Sequence, residues 1–503
     1  MSPTPAILAL DQGTTGTTAL VISSDGRILG RGYSEFTQYF PKPGWVEHDA
    51  DEIRDVTIRV AREALEAARN RERHRVQGIG ITNQRETIVL WDRETGRPVH
   101  RAIVWQDRRT AGICRELKEA GHEAEVRRRT GLVLDPYFSA TKLTWIFREN
   151  PELERRARDG ELACGTIDSW LIHCLTGGEA HLTDPTNASR TLLYDLESGT
   201  WSSEMSSLFG VPAAILPEIR SSSDDFGVAQ GDFLGVEAPI AGVAGDQQAA
   251  LFGQGCWSPG LAKNTYGTGA FLLLHTGDEA VPSEHGLLTT VACDERGGRA
   301  FALEGSIFIA GAAIQWLRDS LGILSTAADS EELARSLEDN DGVYFVPAFV
   351  GLGAPYWDPE VRGAIFGLSR GTRDAHLVRA ALEAMAYGTV GVLRAQEADS
   401  GVTARELRVD GGASANDWLM QFQSDILGLP VRRPAQVETT ALGAAGLAGL
   451  KVGLWESARD FLESQGEPRT FSPRMSGERR ARLRAGWERA VEAAQSFSAI
   501  ADD

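Results

Sequence analysis

Two stretches of this chain share one design. Ile7-Leu8-Ala9-Leu10 runs into D-Q-G-T-T-G-T-T and leaves through Ala19-Leu20-Val21-Ile22. Asn264 to Leu274 repeats the plan, with T-Y-G-T-G between its two runs. Short apolar runs joined by a Gly/Thr turn read as β-hairpins. Glycine permits the tight turn, and the turn's backbone N–H groups can then converge on an anion. Either turn alone is an ordinary structural feature. Two of them, about 250 residues apart, predict a chain of two related halves. The halves are expected to meet near residue 255, where Gly253, Gly255 and Ser258-Pro259-Gly260 cluster. At 503 residues the chain is also too long for one ordinary core. The expected domains are therefore 1–255 and 256–503.

The intervening segments read as mixed α/β. Asp49-x-x-Glu52 forms a capping box before a helical stripe of Ile53, Val56, Val60 and Leu65. Gly78 to Thr82 is a short strand that turns out through Asn83-Gln84-Arg85-Glu86. Asp374 opens a helix carrying Leu377, Ala381, Met385 and Gly388, and Leu407-Arg408-Val409 is a strand entering D-G-G-A-S-A-N. A helix from Asp417 shows Trp418, Leu419, Phe422 and Ile426 on one face. Glu438 to Leu450, rich in Ala and Gly, suits a helix packed closely on a sheet. From Gly477 a charged amphipathic helix carries Leu483, Trp487 and Val491 on one side and reads as a solvated surface element.

Charge excludes some partners. With 51 basic against 70 acidic residues the net charge is −19, which repels nucleic acid and anionic membrane surfaces. Any nucleotide site must then be neutralised locally, by backbone amides and a metal ion. The five cysteines (Cys114, Cys164, Cys174, Cys256, Cys293) are scattered, with no C-x-x-C pair, and fit packed thiols of a cytoplasmic protein. The apolar run before Leu10 lacks a basic start and is too short for a signal peptide, and no stretch reaches the roughly twenty apolar residues of a membrane span.

The chemistry gathers in a few places. Asp246 follows the small apolar stretch Ile240 to Ala244 and is a candidate proton acceptor, close in sequence to the second Gly/Thr turn. A kinase acting on a small hydroxyl compound needs both parts. No G-x-x-x-x-G-K occurs, which excludes a P-loop NTPase, and no complete G-x-G-x-x-G supports a Rossmann dehydrogenase. Val409-Asp410-Gly411-Gly412 is a third strand-to-glycine exit, where a flat ring or ribose could lie against the backbone, or a plain structural turn. Polar groups just past predicted strands, Arg85-Glu86, Trp105-Gln106 and Asp246-Gln247, together with Tyr137, could take paired hydroxyls while an aromatic face covers carbon. A lone Trp or Tyr in such a place is more often a packing residue.

Taken in order, L-D-Q-G-T-T, P-K-P-G-W-V-E-H-D, G-I-T-N-Q-R-E-T, I-V-W-Q-D-R-R-T, T-G-L-V-L-D-P-Y-F-S, A-G-D-Q-Q-A-A-L-F-G-Q, K-N-T-Y-G-T-G, G-L-G-A-P-Y-W-D-P and R-V-D-G-G-A-S-A-N span nearly the whole chain. In these blocks the chain resembles the FGGY carbohydrate kinases, and among them those that phosphorylate glycerol. The resemblance implies an α/β fold of two related actin-like ATPase (ribonuclease H-like) domains flanking an interdomain cleft. It implies that glycerol is held by Arg85, Glu86, Trp105, Tyr137, Asp246, Gln247 and Phe271, with Asp246 as general base. ATP is implied at Thr14, Thr15 and Gly16, at Thr268, and at Gly311, Gln315, Gly412 and Asn416, with Asp11 positioning Mg²⁺. It also implies a homo-oligomer.

The chain departs from the family's pattern in places. Where the family's first loop commonly continues with a serine and then an arginine, Gly16 and Thr18 stand here, and the missing cation weakens the electrostatic clamp on the nucleotide. Between Gly227 and Pro239, Glu237 replaces an arginine of relatives inhibited by a phosphorylated sugar, and no histidine lies between His181 and His275 for a phosphorylation switch. Neither control is expected. The competing readings are a family kinase for another small polyol or a ketose, and an actin-like nucleotidase that forms filaments or acts as a chaperone.

Overall fold

The computed structural model describes residues 3–499. Met1 and Ser2, at the head of the expected first strand, and residues 500–503 lie outside the described part. The first hairpin pairs β1 (Thr4–Gln12) with β2 (Gly16–Ser23), Asp11 opposite Thr18. β3 (Ile28–Glu35) continues antiparallel beyond β2, while β4 (His74–Asn83) runs parallel on the other side of β1. A short β5 (Val228–Ala229) and then β6 (Ala238–Gly245) complete the order β5-β6-β4-β1-β2-β3. Ala6 to Leu10 are buried on both faces, as expected of a central strand that reads as one apolar run.

The second half repeats this plan. Hairpin β7 (Leu261–Tyr266) and β8 (Ala270–Gly277) is followed by β9 (Leu288–Cys293), β10 (Arg299–Ile307), β11 (Glu406–Asp410), β12 (Val431–Arg433) and β13 (Arg469–Phe471). Their order is β9-β10-β8-β7-β11-β12-β13. In each sheet the hairpin's first strand pairs antiparallel with the second, the second with a third, and a parallel strand lies on the far side. This is the actin-like, ribonuclease H-like arrangement, twice.

Alternation along β1 and β2 sorts their side chains to two layers. Leu8, Leu10, Ala19 and Val21 face helix α1 (Ala50–Arg71), meeting Ile53, Val60 and Ala64. Ile7, Ala9, Leu20 and Ile22 face the other way, toward α2 (Asp246–Gly253) and a helix from the far end of the chain, α3 (Thr439–Lys451). That helix is the Ala/Gly-rich segment, and it packs on the first sheet although it lies in the chain between two strands of the second, β12 and β13. Glycine makes the approach possible. A Cβ on Gly80 would stand 2.2 Å from the Ala444 carbonyl oxygen, one on Gly242 2.4 Å from the Ala448 nitrogen, and one on Gly443 1.8 Å from the Ala249 carbonyl oxygen. The two halves therefore share a core.

Two local expectations change. Asp49 caps α1 by accepting from the Asp51 and Glu52 amides at 3.0 and 3.2 Å, but Glu52 does not reach back to it. The Glu52 carboxylate instead takes the Thr37 amide and hydroxyl at 3.0 and 2.9 Å. The C-terminal helix α4 (Gly477–Ala499) is no solvated rod. Leu483, Trp487 and Val491 are buried in the second core, with the Trp487 ring stacked on Tyr387 at 5.2 Å. The cysteines act as packing groups. Burial pushes the thiols of Cys114, Cys164 and Cys256 up to about 12. Among the described residues no helix is long and apolar enough to cross a membrane.

Candidate active site

β4 ends at Asn83, and the chain turns sharply through Arg85 and Glu86. Glu86 has φ of 63°, a strained value for a residue with a side chain. The turn is fixed from all sides. Asn83 exchanges amide bonds with Asn187 at 3.0 and 3.1 Å, and Gln84 donates to Gln12 at 3.1 Å. Lys142 donates to the carbonyl oxygens of Glu86 (3.3 Å) and Tyr137 (2.7 Å), joining two of the expected polyol segments. Burial depresses the Lys142 ammonium to about 7.

Arg85 is the hub. Its Nε lies 3.2 Å from Asp246 Oδ1, and its Nη2 3.5 Å from the Tyr137 hydroxyl. The Trp105 and Tyr137 rings meet edge to face at 5.5 Å. Asp246 opens α2, directly after β6. The Asp246 side chain remains 32% exposed, whereas those of Arg85 and Glu86 are 2% exposed. Asp246 is thus the carboxylate of this pair that solvent can reach. Burial raises its proton affinity against the opposing pull of Arg85 and Lys263. Gln247 is oriented by Lys263, whose ammonium donates to the amide oxygen and to the Thr265 hydroxyl, leaving the amide NH₂ free to donate. Phe271 stands on β8, paired with Thr265.

Four charged residues here lie outside the sequence expectation: Lys142, Arg190, Lys263 and Glu304. Glu304 and Lys263 carried a signal, a charge in the middle of an apolar strand (F-A-L-E-G-S and L-A-K-N-T-Y). Arg190, in N-A-S-R-T, carried none.

The first loop is closed by a bond from the Gly13 amide to the Gly16 carbonyl at 2.9 Å. Trp105 Nε1 donates to the Thr14 hydroxyl at 2.8 Å, and Gln38 donates to the Thr14 carbonyl at 2.9 Å. The expected polyol residue Trp105 and the first loop are therefore physically joined. Thr15 is exposed at the tip. Gly16 has a steric reason to be glycine. A Cβ there would stand 2.7 Å from the Ser34 carbonyl oxygen and 3.0 Å from the Tyr33 ring, so the family's serine would need β3 to shift.

In the second half, Thr268, Gly311, Gln315, Gly412 and Asn416 come together around one cavity of about 480 Å³, with Tyr266, Ile314, Leu382 and Met385 as apolar lining. The second loop is tied to the helix Gly311–Asp319 by bonds from the Gly311 amide to the Gly267 carbonyl (3.0 Å) and from the Ala312 amide to the Thr268 carbonyl (3.1 Å). Gly411 has φ of 81°, and a Cβ there would meet the Tyr266 carbonyl oxygen at 2.3 Å. The D-G-G exit can pass so close only with glycine.

Among the described residues no three acidic, His or Cys side chains gather into a metal cage. Asp11, at the end of β1, nevertheless fits a cation. Burial pushes its carboxyl up to about 7, with the Asp246 and Glu438 carboxylates adding to the effect. A nearby cation would relieve that crowding. Mg²⁺ needs few protein ligands, because water and phosphate oxygens complete its shell.

Residues 6–253 match the model of the FGGY family of carbohydrate kinases, N-terminal domain, and residues 262–452 that of the C-terminal domain. The chain is 55% identical over 497 residues to the glycerol kinase of Deinococcus radiodurans, with 99% of each chain covered. It is 55% identical over 492 residues to that of Thermus thermophilus, covering 98% of this chain and 99% of the relative. The solved structure of Plasmodium falciparum glycerol kinase with ADP superimposes with a TM-score of 0.93 at 36% identity, over 98% of this chain and 99% of that one. On the family models and these relatives alike, the chain belongs to the FGGY family of carbohydrate kinases.

Proposed function

We propose that this chain transfers the terminal phosphoryl group of MgATP to glycerol, giving sn-glycerol 3-phosphate, with Asp246 as general base. The observation that carries the reading is the accessible Asp246 carboxylate, 3.2 Å from the Nε of Arg85, whose Nη2 meets the Tyr137 hydroxyl. Full-length relatives at 55% identity named glycerol kinase support the substrate.

In this reading Arg85 donates to glycerol oxygens, Glu86 accepts from a hydroxyl, and Gln247 donates its amide NH₂. Trp105, Tyr137 and Phe271 cover the carbon skeleton. As the new P–O bond forms and ADP leaves, Asp246 takes the proton from the attacking hydroxyl. Its raised proton affinity makes it a better acceptor than an ordinary carboxylate. Thr14, Thr15, Gly16 and Thr268 hold the phosphates, since phosphoryl transfer depends mainly on alignment and charge neutralisation. The nucleoside occupies the cavity lined by Gly311, Gln315, Gly412 and Asn416. Asp11 would hold Mg²⁺, which when bound neutralises phosphate charge. The expected division near residue 255 leaves the first loop and all the proposed polyol residues except Phe271 before it and the nucleoside site after it, while α3 crosses back over it. A cytoplasmic homo-oligomer follows from the same family resemblance.

The test is product formation from ATP and glycerol, with and without Mg²⁺, beside a panel of polyols and ketoses. Glycerol phosphate made only with Mg²⁺, and glycerol preferred over the panel, is the expected result. ADP release that ignores glycerol would refute the reading.

A further inference from the structure

Glu304 lies in β10, a strand of the second sheet, and its side chain is fully buried. Two guanidinium groups from the first half converge on it. Arg85 reaches it with a fork, Nη1 to Oε2 at 2.5 Å and Nη2 to Oε1 at 3.1 Å. Arg190 donates from Nη2 to Oε1 at 2.9 Å and from Nε to Glu86 Oε1 at 2.7 Å. Although burial opposes it, Arg190 and Arg85 hold the Glu304 carboxyl down, at about 2, so it stays charged.

A two-point carboxylate–guanidinium contact fixes the plane of the arginine as well as its position. With both terminal nitrogens of Arg85 engaged by Glu304, its Nε edge is left toward Asp246. The loop that carries Arg85 sits at a strained turn, and the same double ion pair restrains Glu86 beside it. The substrate-side groups of the first half are thus oriented by a carboxylate of the second. We propose that Glu304 is a positioning residue: it sets the plane of Arg85, and through it the placement of the polyol hydroxyls against Asp246. This rests on the glycerol-phosphorylating reading above. A carboxylate serving only to hold the halves together would affect folding, and would lower activity toward both substrates alike.

Glu304→Gln keeps the shape and removes the charge. Arg85 then shifts toward Asp246, the nearest carboxylate left to it on the cleft side, and Asp246 loses a repelling neighbour. Steady-state kinetics should show KM for glycerol rising about ten- to a hundredfold, the range of one lost hydrogen-bonded charge contact, with KM for ATP within about twofold. The acid limb of kcat/KM for glycerol should move to lower pH. Glu304→Asp, shorter but charged, should restore the acid limb and leave KM for glycerol high. If Glu304→Gln fails to fold, the charge-balanced double variant Glu304→Gln/Arg190→Met carries the test, with the same glycerol-specific defect expected. Unchanged KM for glycerol with an unmoved acid limb, or equal losses for both substrates, would overturn the proposal while the function stands. A parent protein that makes no glycerol phosphate would instead sink the function, and this assignment with it.

Discussion

Arg85 Nε and Asp246 Oδ1 stand 3.2 Å apart, so the proposed base is paired with the cation proposed to hold glycerol. The pairing uses one carboxylate oxygen. Oδ1 also accepts the Gln247 amide at 2.7 Å, which leaves Oδ2 for the proton of an attacking hydroxyl.

Asp246→Asn keeps the shape and removes the acceptor. Its kcat should fall by at least the roughly 10²–10⁴-fold typical of a positioned acid–base group. Circular dichroism should stay native. Turnover within a few-fold of the parent would exclude Asp246 as base.

Asp11 gives a pH signature without any substrate. Its folded carboxyl titrates at about 7 against an ordinary 3.8, so the folded state binds the extra proton in between. Stability from this group is complete below about 3.8 and is lost as pH rises toward about 7. Asp168, also pushed up to about 7 by burial and by Asp184, acts in the same window, so the parent curve alone mixes the two. The difference in Tm between parent and Asp11→Asn should change across that window, in favour of the variant at the upper end. A constant difference would count against the assignment.

Trp105→Phe keeps an aromatic face and removes the bond to the Thr14 hydroxyl. A neutral hydrogen bond contributes about 0.5–1.5 kcal/mol. KM for ATP at saturating glycerol should rise about two- to tenfold. No change would mean that the Gln38 contact alone holds the loop.

Gly443→Ala places a methyl where the Ala249 carbonyl oxygen already stands, 1.8 Å away, and neither backbone can yield cheaply. Overpacking of this kind costs about 1–3 kcal/mol or more, read as a lower urea midpoint. Gly112→Ala, with open space around the new methyl, is the control and should not destabilise. Equal midpoints for the two variants would contradict the close approach of α3 to α2.

Much of the architecture was legible because hairpins and helical stripes are local. The turns at Gly13–Gly16 and Gly267–Gly269 are set by residues a few places apart, and repetition of that design pointed to two halves. Asp246 was legible as a polar residue directly after an apolar strand, and Asp49 as a cap. The Glu52 half of the capping box failed because Thr37, a residue from another element, offered better donors. The helix from Gly477 reads as a solvated surface element because the ring that covers Trp487 on its apolar side, Tyr387, lies about a hundred residues upstream.

Residues close together in the chain are enough to set the two hairpins, the polar groups at strand ends and the glycines that let backbones approach. Short-range sterics and alternation decide such features. Long-range packing alone brings Glu304 of one half to Arg85 and Arg190 of the other, Trp105 to Thr14, and α3 back to the first sheet. The reason is physical: a buried charge is stable only beside its counter-charge, and the identity of that partner depends on which distant strands come into contact.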